Sequence, residues 1–253
     1  MLFDSHAHLN DESFDEDREE VIASLKEKGL DYIVNPGADM ETSKTAIELA
    51  NKHDFIYAAV GVHPHDVENM TESDIELLRK YAIENEKVVA IGEIGLDYHY
   101  DLSPRELQKK WFKRQIELAN ELKLPFIVHD REAHGDTLKI MKEFPKVKGV
   151  VHCFSGSVEF AKECLKLGYY IGVTGVVTFK NSKVIKAVVK EVPLDRLLVE
   201  TDCPYMAPTL NRGKRNQSDY IAFVLKEIAT IKDKSIKEME EITILNTKTL
   251  FRI

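Results

Sequence analysis

The chain reads as a single-domain α/β protein, a (β/α)8 barrel closed by C-terminal helices, with residues 1–253 forming one unit. Two observations lead there. Eight short apolar runs alternate with longer stretches of helical periodicity, the pattern of a parallel sheet with helical crossovers. The runs recur every twenty to forty residues or so, and eight β/α units in about 250 residues match a closed barrel. An open doubly wound sheet has the same alternation, but the first turn here lacks the Gly-x-Gly-x-x-Gly phosphate loop.

In order, the predicted strands are Leu2–Asp4, Tyr32–Val34, Phe55–Val60, Val88–Ile91, Phe126–Val128, Gly149–Val151, Tyr169–Val173 and Leu197–Val199. Helical spacing is visible in Val21, Ile22 and Leu25, and again in Ile75, Leu77, Leu78 and Tyr81. Ser103-Pro104-Arg105-Glu106 predicts a capping box with proline at the first helical position. That helix presents Leu107, Trp111, Leu118 and Leu122 on one apolar face, so Trp111 belongs to the core. Pro125 restarts the chain as the fifth strand. A long loop, Cys203 to Ser218, follows the eighth strand and leads into two closing helices that end near Leu250.

Composition narrows the class. The 43% hydrophobic content suffices for a large core, and no run of eighteen apolar residues predicts a membrane span. The amino terminus has neither a basic nor an apolar leader region. Cys153, Cys164 and Cys203 form no Cys-x-x-Cys pair, which fits a reducing, cytoplasmic setting. A formal net charge of −8 argues against a broadly basic nucleic-acid-binding surface, while leaving room for local phosphate contacts.

The chemistry gathers where strands end. His6 and His8 close the first strand, where an i, i+2 spacing sends both imidazoles to one face. The third strand runs into His63-Pro64-His65 and the fourth into Gly92-Glu93-Ile94-Gly95-Leu96-Asp97. The fifth ends in His129-Asp130-Arg131, the sixth in His152-Cys153 and the eighth in Glu200-Thr201-Asp202. Seven of the nine histidines occupy such positions; His53 and His134 do not. In a parallel barrel that face carries the active site. Imidazoles with carboxylates and no thiolate cluster suit Zn, Mn or another divalent ion. The donors exceed what one open catalytic ion takes, so two ions sharing a carboxylate fit better.

Several segments then resemble the TatD family of metal-dependent deoxyribonucleases. They are Leu2-Phe3-Asp4-Ser5-His6-Ala7-His8-Leu9-Asn10, Gly61-Val62-His63-Pro64-His65, Gly92-Glu93-Ile94-Gly95-Leu96-Asp97-Tyr98, Val151-His152-Cys153-Phe154-Ser155-Gly156 and Glu200-Thr201-Asp202-Cys203-Pro204-Tyr205. The resemblance spans essentially the whole chain. It implies a TIM barrel of the amidohydrolase type and hydrolysis of DNA phosphodiester bonds, as an exonuclease acting on single-stranded or end-exposed DNA. It further implies that His6, His8, Glu93 and Asp202 hold one divalent ion (Zn, Mn or Mg), and that Glu93 bridges to a second held by His129 and His152. Asp202 is the candidate base for the attacking water. Because ligation needs neutral imidazoles, activity is expected to collapse below about pH 6.

Secondary candidates are His63 and Arg131 for a substrate phosphate, and Asp97 as a residue that orients a ligand. Arg212, Lys214 and Arg215 form the basic cluster of a catalytic-face loop and are candidates for holding the nucleic-acid backbone. The family often continues Arg-Asn-Glu-Pro at this point, whereas this chain has Asn216-Gln217-Ser218. His65 is expected to be structural or exposed, and Asp130 to point away from His129. Phe154, Tyr98 and Phe179 are candidates either for stacking on bases or for packing. Two other functions share these features: hydrolysis of amides, lactones or small phosphoesters, and non-catalytic binding around a stabilising metal. No protein partner is evident.

Overall fold

The structure is a computed structural model that describes residues 1–253. Eight parallel strands follow one another around a single sheet in the order β1 to β8. They are β1 (Leu2–Asp4), β2 (Leu30–Pro36), β3 (Ile56–Val60), β4 (Val88–Asp97), β5 (Phe126–Arg131), β6 (Gly149–Val151), β7 (Tyr170–Val173) and β8 (Leu197–Val199). Helices α1 (Arg18–Glu27), α2 (Met40–Lys52), α3 (Glu72–Glu84), α4 (Arg105–Leu122), α5 (His134–Glu143), α6 (Val158–Lys166) and α7 (Lys183–Glu191) fill the crossovers. The chain ends in α8 (Ile221–Lys232) and α9 (Ile236–Phe251). The barrel seam is joined by the Ser5 amide, which donates to the Val199 carbonyl at 3.2 Å.

Strand alternation divides the core in two. Phe126 and Val128, like Leu197 and Val199, pack outward in the layer beneath the helices. Ile127, Val150 and Leu198 point inward with Phe3, Val34 and Ala59, where Leu250 and Phe251 of α9 join them. The last helix thus stoppers the N-terminal end of the barrel. Inward positions continue at a spacing of two, so His129 follows Ile127, His152 follows Val150, and Glu200 and Asp202 follow Leu198. Apolar layers fill the lower barrel, and the same register delivers the polar donors to its upper mouth.

Three local expectations are corrected. First, β1 ends at Asp4, so His6 and His8 lie beyond it. Their segment is held by Ala7 N–H donating to Val34 O at 3.1 Å and His8 N–H donating to Cys203 O at 2.8 Å. Their convergence comes from this tethered loop and not from strand alternation. Second, β4 runs on through Asp97, past the end expected at Ile91, with a register shift between Ile91 and Ile94. Glycine makes this possible: a Cβ on Gly95, whose φ is +153°, would lie 1.9 Å from the His129 carbonyl oxygen. Third, Ser103 does not cap α4; Pro104 is the N-cap residue, and the Ser103 hydroxyl donates to His65 O at 2.8 Å. The amphipathic face expected of α4 does form, and Trp111 is buried. No helix is long and apolar enough to cross a membrane.

Candidate metal centre

Glu93 stands at the middle of the barrel mouth, buried, with a different set of imidazoles at each carboxylate oxygen. Its Oε2 lies 3.3 Å from His6 Nε2 and 3.6 Å from His8 Nε2. Its Oε1 lies 2.7 Å from His152 Nε2, 2.8 Å from His129 Nδ1 and 3.5 Å from His63 Nε2. Asp202 Oδ1 approaches the first set, at 3.7 Å from His6 Nε2 and 3.6 Å from His8 Nε2. His6 and His8 face each other through their Nε2 atoms at 3.0 Å, and the rings of His6 and His152 stack with centroids 4.0 Å apart. All six expected ligands therefore meet in one place, and His63 stands beside them.

Electrostatics separates these groups. Burial alone would raise the Glu93 carboxyl, but His152 and His63, with hydrogen bonds from His129 and His152, hold it well below the usual carboxylate range. Burial and the neighbouring His152 push His6 well down; burial and His129 do the same to His63. For His152 burial is outweighed by the charge of Glu93 and its hydrogen bond, which lift the imidazole to about 10. His8 and His129 are also raised against burial, His8 by Glu93 and His129 by Asp97 and Glu93. Burial raises Asp202.

The donor set fits metal ions. His6 is buried and neutral, and its Nδ1 has no hydrogen-bond partner, nor does the buried Nδ1 of His152. Imidazole nitrogens converge with the carboxylate oxygens of Glu93 and Asp202 and no thiolate, a donor set suited to a divalent cation. Three overlapping trios bring their ligand atoms within 4.8 Å of one another: His6, His152 and Asp202; His6, His8 and Glu93; His63, Glu93 and His129.

A surrounding shell orients these donors. Asp97 Oδ2 lies 3.0 Å from His129 Nε2 and 2.9 Å from His65 Nε2, so Asp97 steadies both rings. Burial would raise Asp97, but bonds from His129, Tyr100 N–H and His65 drive it down. His65 is thereby part of the site's framework. Asp130 turns away from the centre to His134, whose Nδ1 is 2.8 Å from its Oδ2. Two buried carboxylates not singled out from sequence complete the shell. Asp4 accepts from Thr201 N–H at 2.9 Å and from the Thr201 hydroxyl, fastening β1 to the segment after β8. Glu200 accepts from Cys153 N–H and stands 3.7 Å from His152 Nδ1. Burial pushes each of these carboxyls up to about 7. Their signal in the sequence was spacing, Asp4 being two before His6 and Glu200 two before Asp202.

The mouth is a cavity of about 460 Å³ whose walls include His63 and Arg131. Arg212, Lys214 and Arg215 lie outside it. Arg215 is turned to the protein: its Nη1 and Nη2 reach Asp17 at 2.7 and 2.6 Å, and its guanidinium covers the Phe14 ring. Arg212 lies over Phe179, 4.9 Å from the ring centroid. Asn216, where the family pattern breaks, is buried and donates to Thr201 O and Tyr205 O, a structural role. Phe154 is buried and stacks on Phe160. Tyr98 donates to Asp136 and lies under Arg105. Tyr100 and Tyr205, not singled out from sequence, are the exposed aromatics on the cavity wall.

Comparison with known proteins agrees with this geometry. The family described as TatD related DNase matches residues 3–252. The uncharacterized metal-dependent hydrolase YabD of Bacillus subtilis is 50% identical over the full length of both chains. A protein of Erwinia tasmaniensis named 3'-5' ssDNA/RNA exonuclease TatD is 34% identical, again over both full lengths. The crystal structure of YJJV, a TatD homologue from Escherichia coli K12, superposes with a TM-score of 0.93 at 32% identity, covering 100% of this chain and 98% of the other. With its barrel and its clustered donors, this chain belongs to the TatD family of metal-dependent hydrolases.

Proposed function

We propose that the chain is a deoxyribonuclease that hydrolyses phosphodiester bonds from an end of single-stranded DNA, using two divalent ions. The observation that carries this reading is the division of Glu93, with Oε2 toward His6 and His8 and Oε1 toward His129 and His152. A carboxylate so placed suits a bridge between an ion held by His6, His8 and Asp202 and another held by His129 and His152. The name of the Erwinia relative, a single-strand exonuclease, supports the substrate class. Zn, Mn and Mg are the candidate ions.

When bound, such an ion pair activates water and neutralises charge on the phosphoryl oxygens. The protein supplies the rest. Asp202, whose carboxyl is raised by burial, takes the proton of the attacking water through a carboxylate oxygen. Arg131 and His63, on the cavity wall, hold the phosphate oxygens. Asp97 keeps His129 in place, and the exposed ring of Tyr100 or Tyr205 offers a face for a terminal base. A mononucleotide at a strand end fits an opening of about 460 Å³.

A second reading has one observation in its favour. Among the lysines and arginines, Arg131 alone lines the cavity, so the site offers few cations for a polyanionic strand and also suits a small ester, lactone or amide. The deciding experiment is cleavage of 3'-labelled and 5'-labelled single-stranded DNA by metal-reconstituted protein beside Glu93→Ala. Stepwise products that vanish in the variant support the nuclease and reveal the direction of attack. Two bound metals without DNA cleavage transfer the assignment to a small substrate.

A further inference from the structure

The barrel carries a second concavity at its opposite end, and its charge is the reverse of the chain's. It has a volume of about 550 Å³ and is walled by Lys123, Lys146, Lys148, Arg196 and Arg252, with no carboxylate on its lining. The whole chain has a net charge of −8, so five cations without an acid among them is a marked local excess. Each comes from the lower face. Lys123 precedes β5, Lys146 and Lys148 precede β6, Arg196 precedes β8, and Arg252 follows α9. In this fold that face ordinarily serves stability rather than ligand binding.

Acidic side chains engage little of this cluster. Arg196 alone of the five has an ion-pair partner, its neighbour Asp195 at 3.1 Å. Two are positioned by the backbone instead: Lys148 Nζ donates to Leu167 O at 2.9 Å, and Arg252 Nη1 donates to Lys123 O at 3.0 Å. Arg196 is steadied over the Tyr170 ring, 5.2 Å from its centroid. Holding like charges around one hollow is unfavourable without an anion. Leu124, Pro125, Val147 and Leu250 supply an apolar part of the wall.

We propose that this lower pocket binds a small molecule with two or more phosphoryl groups on an apolar or aromatic body, of the nucleoside diphosphate class. The volume lies within the range of small-ligand pockets. The concave shape favours such a molecule over a nucleic-acid strand, which tracks along an extended basic groove. The apolar wall gives the organic body a surface that inorganic phosphate would leave unused. This site is separate from the metal centre and independent of the nuclease reading.

Lys123 and Lys146 are exposed and donate no side-chain hydrogen bond, so both can be reversed without dismantling the fold. The test is calorimetric titration of ADP, pyrophosphate and adenosine into metal-loaded wild type and the Lys123→Glu/Lys146→Glu double variant. Metal-dependent hydrolysis and thermal unfolding serve as controls. Wild type should bind ADP more tightly than pyrophosphate and show no saturable binding of adenosine. The double variant should lose at least about tenfold in ADP affinity while hydrolysis stays unchanged, as expected when two charged contacts to phosphate are reversed. Equal ADP affinity in the two proteins overturns the proposal. So does adenosine binding as well as ADP, which would remove the phosphate from recognition. Displacement of ADP by a short oligonucleotide that binds more tightly would overturn the small-ligand assignment.

Discussion

Asp97 Oδ2 lies 3.0 Å from His129 Nε2, while the other nitrogen of that ring lies 2.8 Å from Glu93 Oε1. The imidazole is thus held between two carboxylates, of which one belongs to the candidate metal centre and the other stands behind it. Asp97 is itself fixed, since its Oδ1 accepts from the backbone N–H groups of His99 and Tyr100.

Asp97→Asn should therefore weaken metal binding without removing a ligand. Outer partners of this kind typically contribute roughly 10–100-fold in affinity or activity. Titration of the apoprotein with Zn or Mn should show that loss. A variant with wild-type metal affinity and turnover would reduce Asp97 to a loop brace.

Proton release should accompany metal loading. In the metal-free protein His152 is raised to about 10 by Glu93 against burial, and His8 and His129 are raised too. Near pH 7 His152 therefore carries a proton that must leave before its nitrogen can ligate. Affinity should rise with pH from about 6 to 9, and turnover should collapse below about pH 6. Calorimetry in two buffers of different ionisation enthalpy measures the released protons. No buffer dependence, or full turnover at pH 5, would count against histidine ligation.

Away from the metal centre, His134 and Asp130 give a second pH signature with a definite sign. The hydrogen bond that His134 donates to Asp130 raises its imidazole above the ordinary value, burial opposing it. The folded state then binds the proton more tightly than the unfolded chain. The contribution is fully present below the unfolded pKa of about 6.5 and fades as pH rises through the higher folded value. In urea unfolding, the stability difference between wild type and His134→Gln should be larger at pH 5.5 than at pH 8.5. A difference independent of pH would show that the charged pair contributes nothing.

These sites also show what could be read from the residues alone. The eight strands were legible because apolar runs separated by helical periodicity are local signals. The candidate donors stand out in the sequence because they gather at strand ends and in the loops that follow them. Local signals failed where the cause lay far along the chain. Arg215 looks like a phosphate contact until Asp17, 198 positions away, takes both of its terminal nitrogens. Asp4 looks like an ordinary strand residue until Thr201 donates to it across the seam. The apolar run of β4 stops at Ile91 because Gly92 and Gly95 interrupt it, although their missing side chains are what allow β5 to lie close as the strand continues to Asp97.

Gly95→Ala tests that last point. At a φ of +153° an L-residue is strained, and the added Cβ would sit 1.9 Å from the His129 carbonyl oxygen and 3.0 Å from its nitrogen. The obstacle is backbone, so no side-chain rotation relieves it, and β4 and β5 must separate at the pair Gly95 and His129. Overpacking of this kind costs about 1–3 kcal/mol, and the left-handed conformation adds to it. Because the displaced residue is His129, the same change should weaken metal binding as well as stability. Glycine at position 95 would then set the spacing between Glu93 and His129. Denaturant unfolding of the metal-free variant and metal titration at a temperature where it remains folded separate the two effects. Loss of stability with unaltered metal affinity would show that His129 recovers its place when the strand shifts.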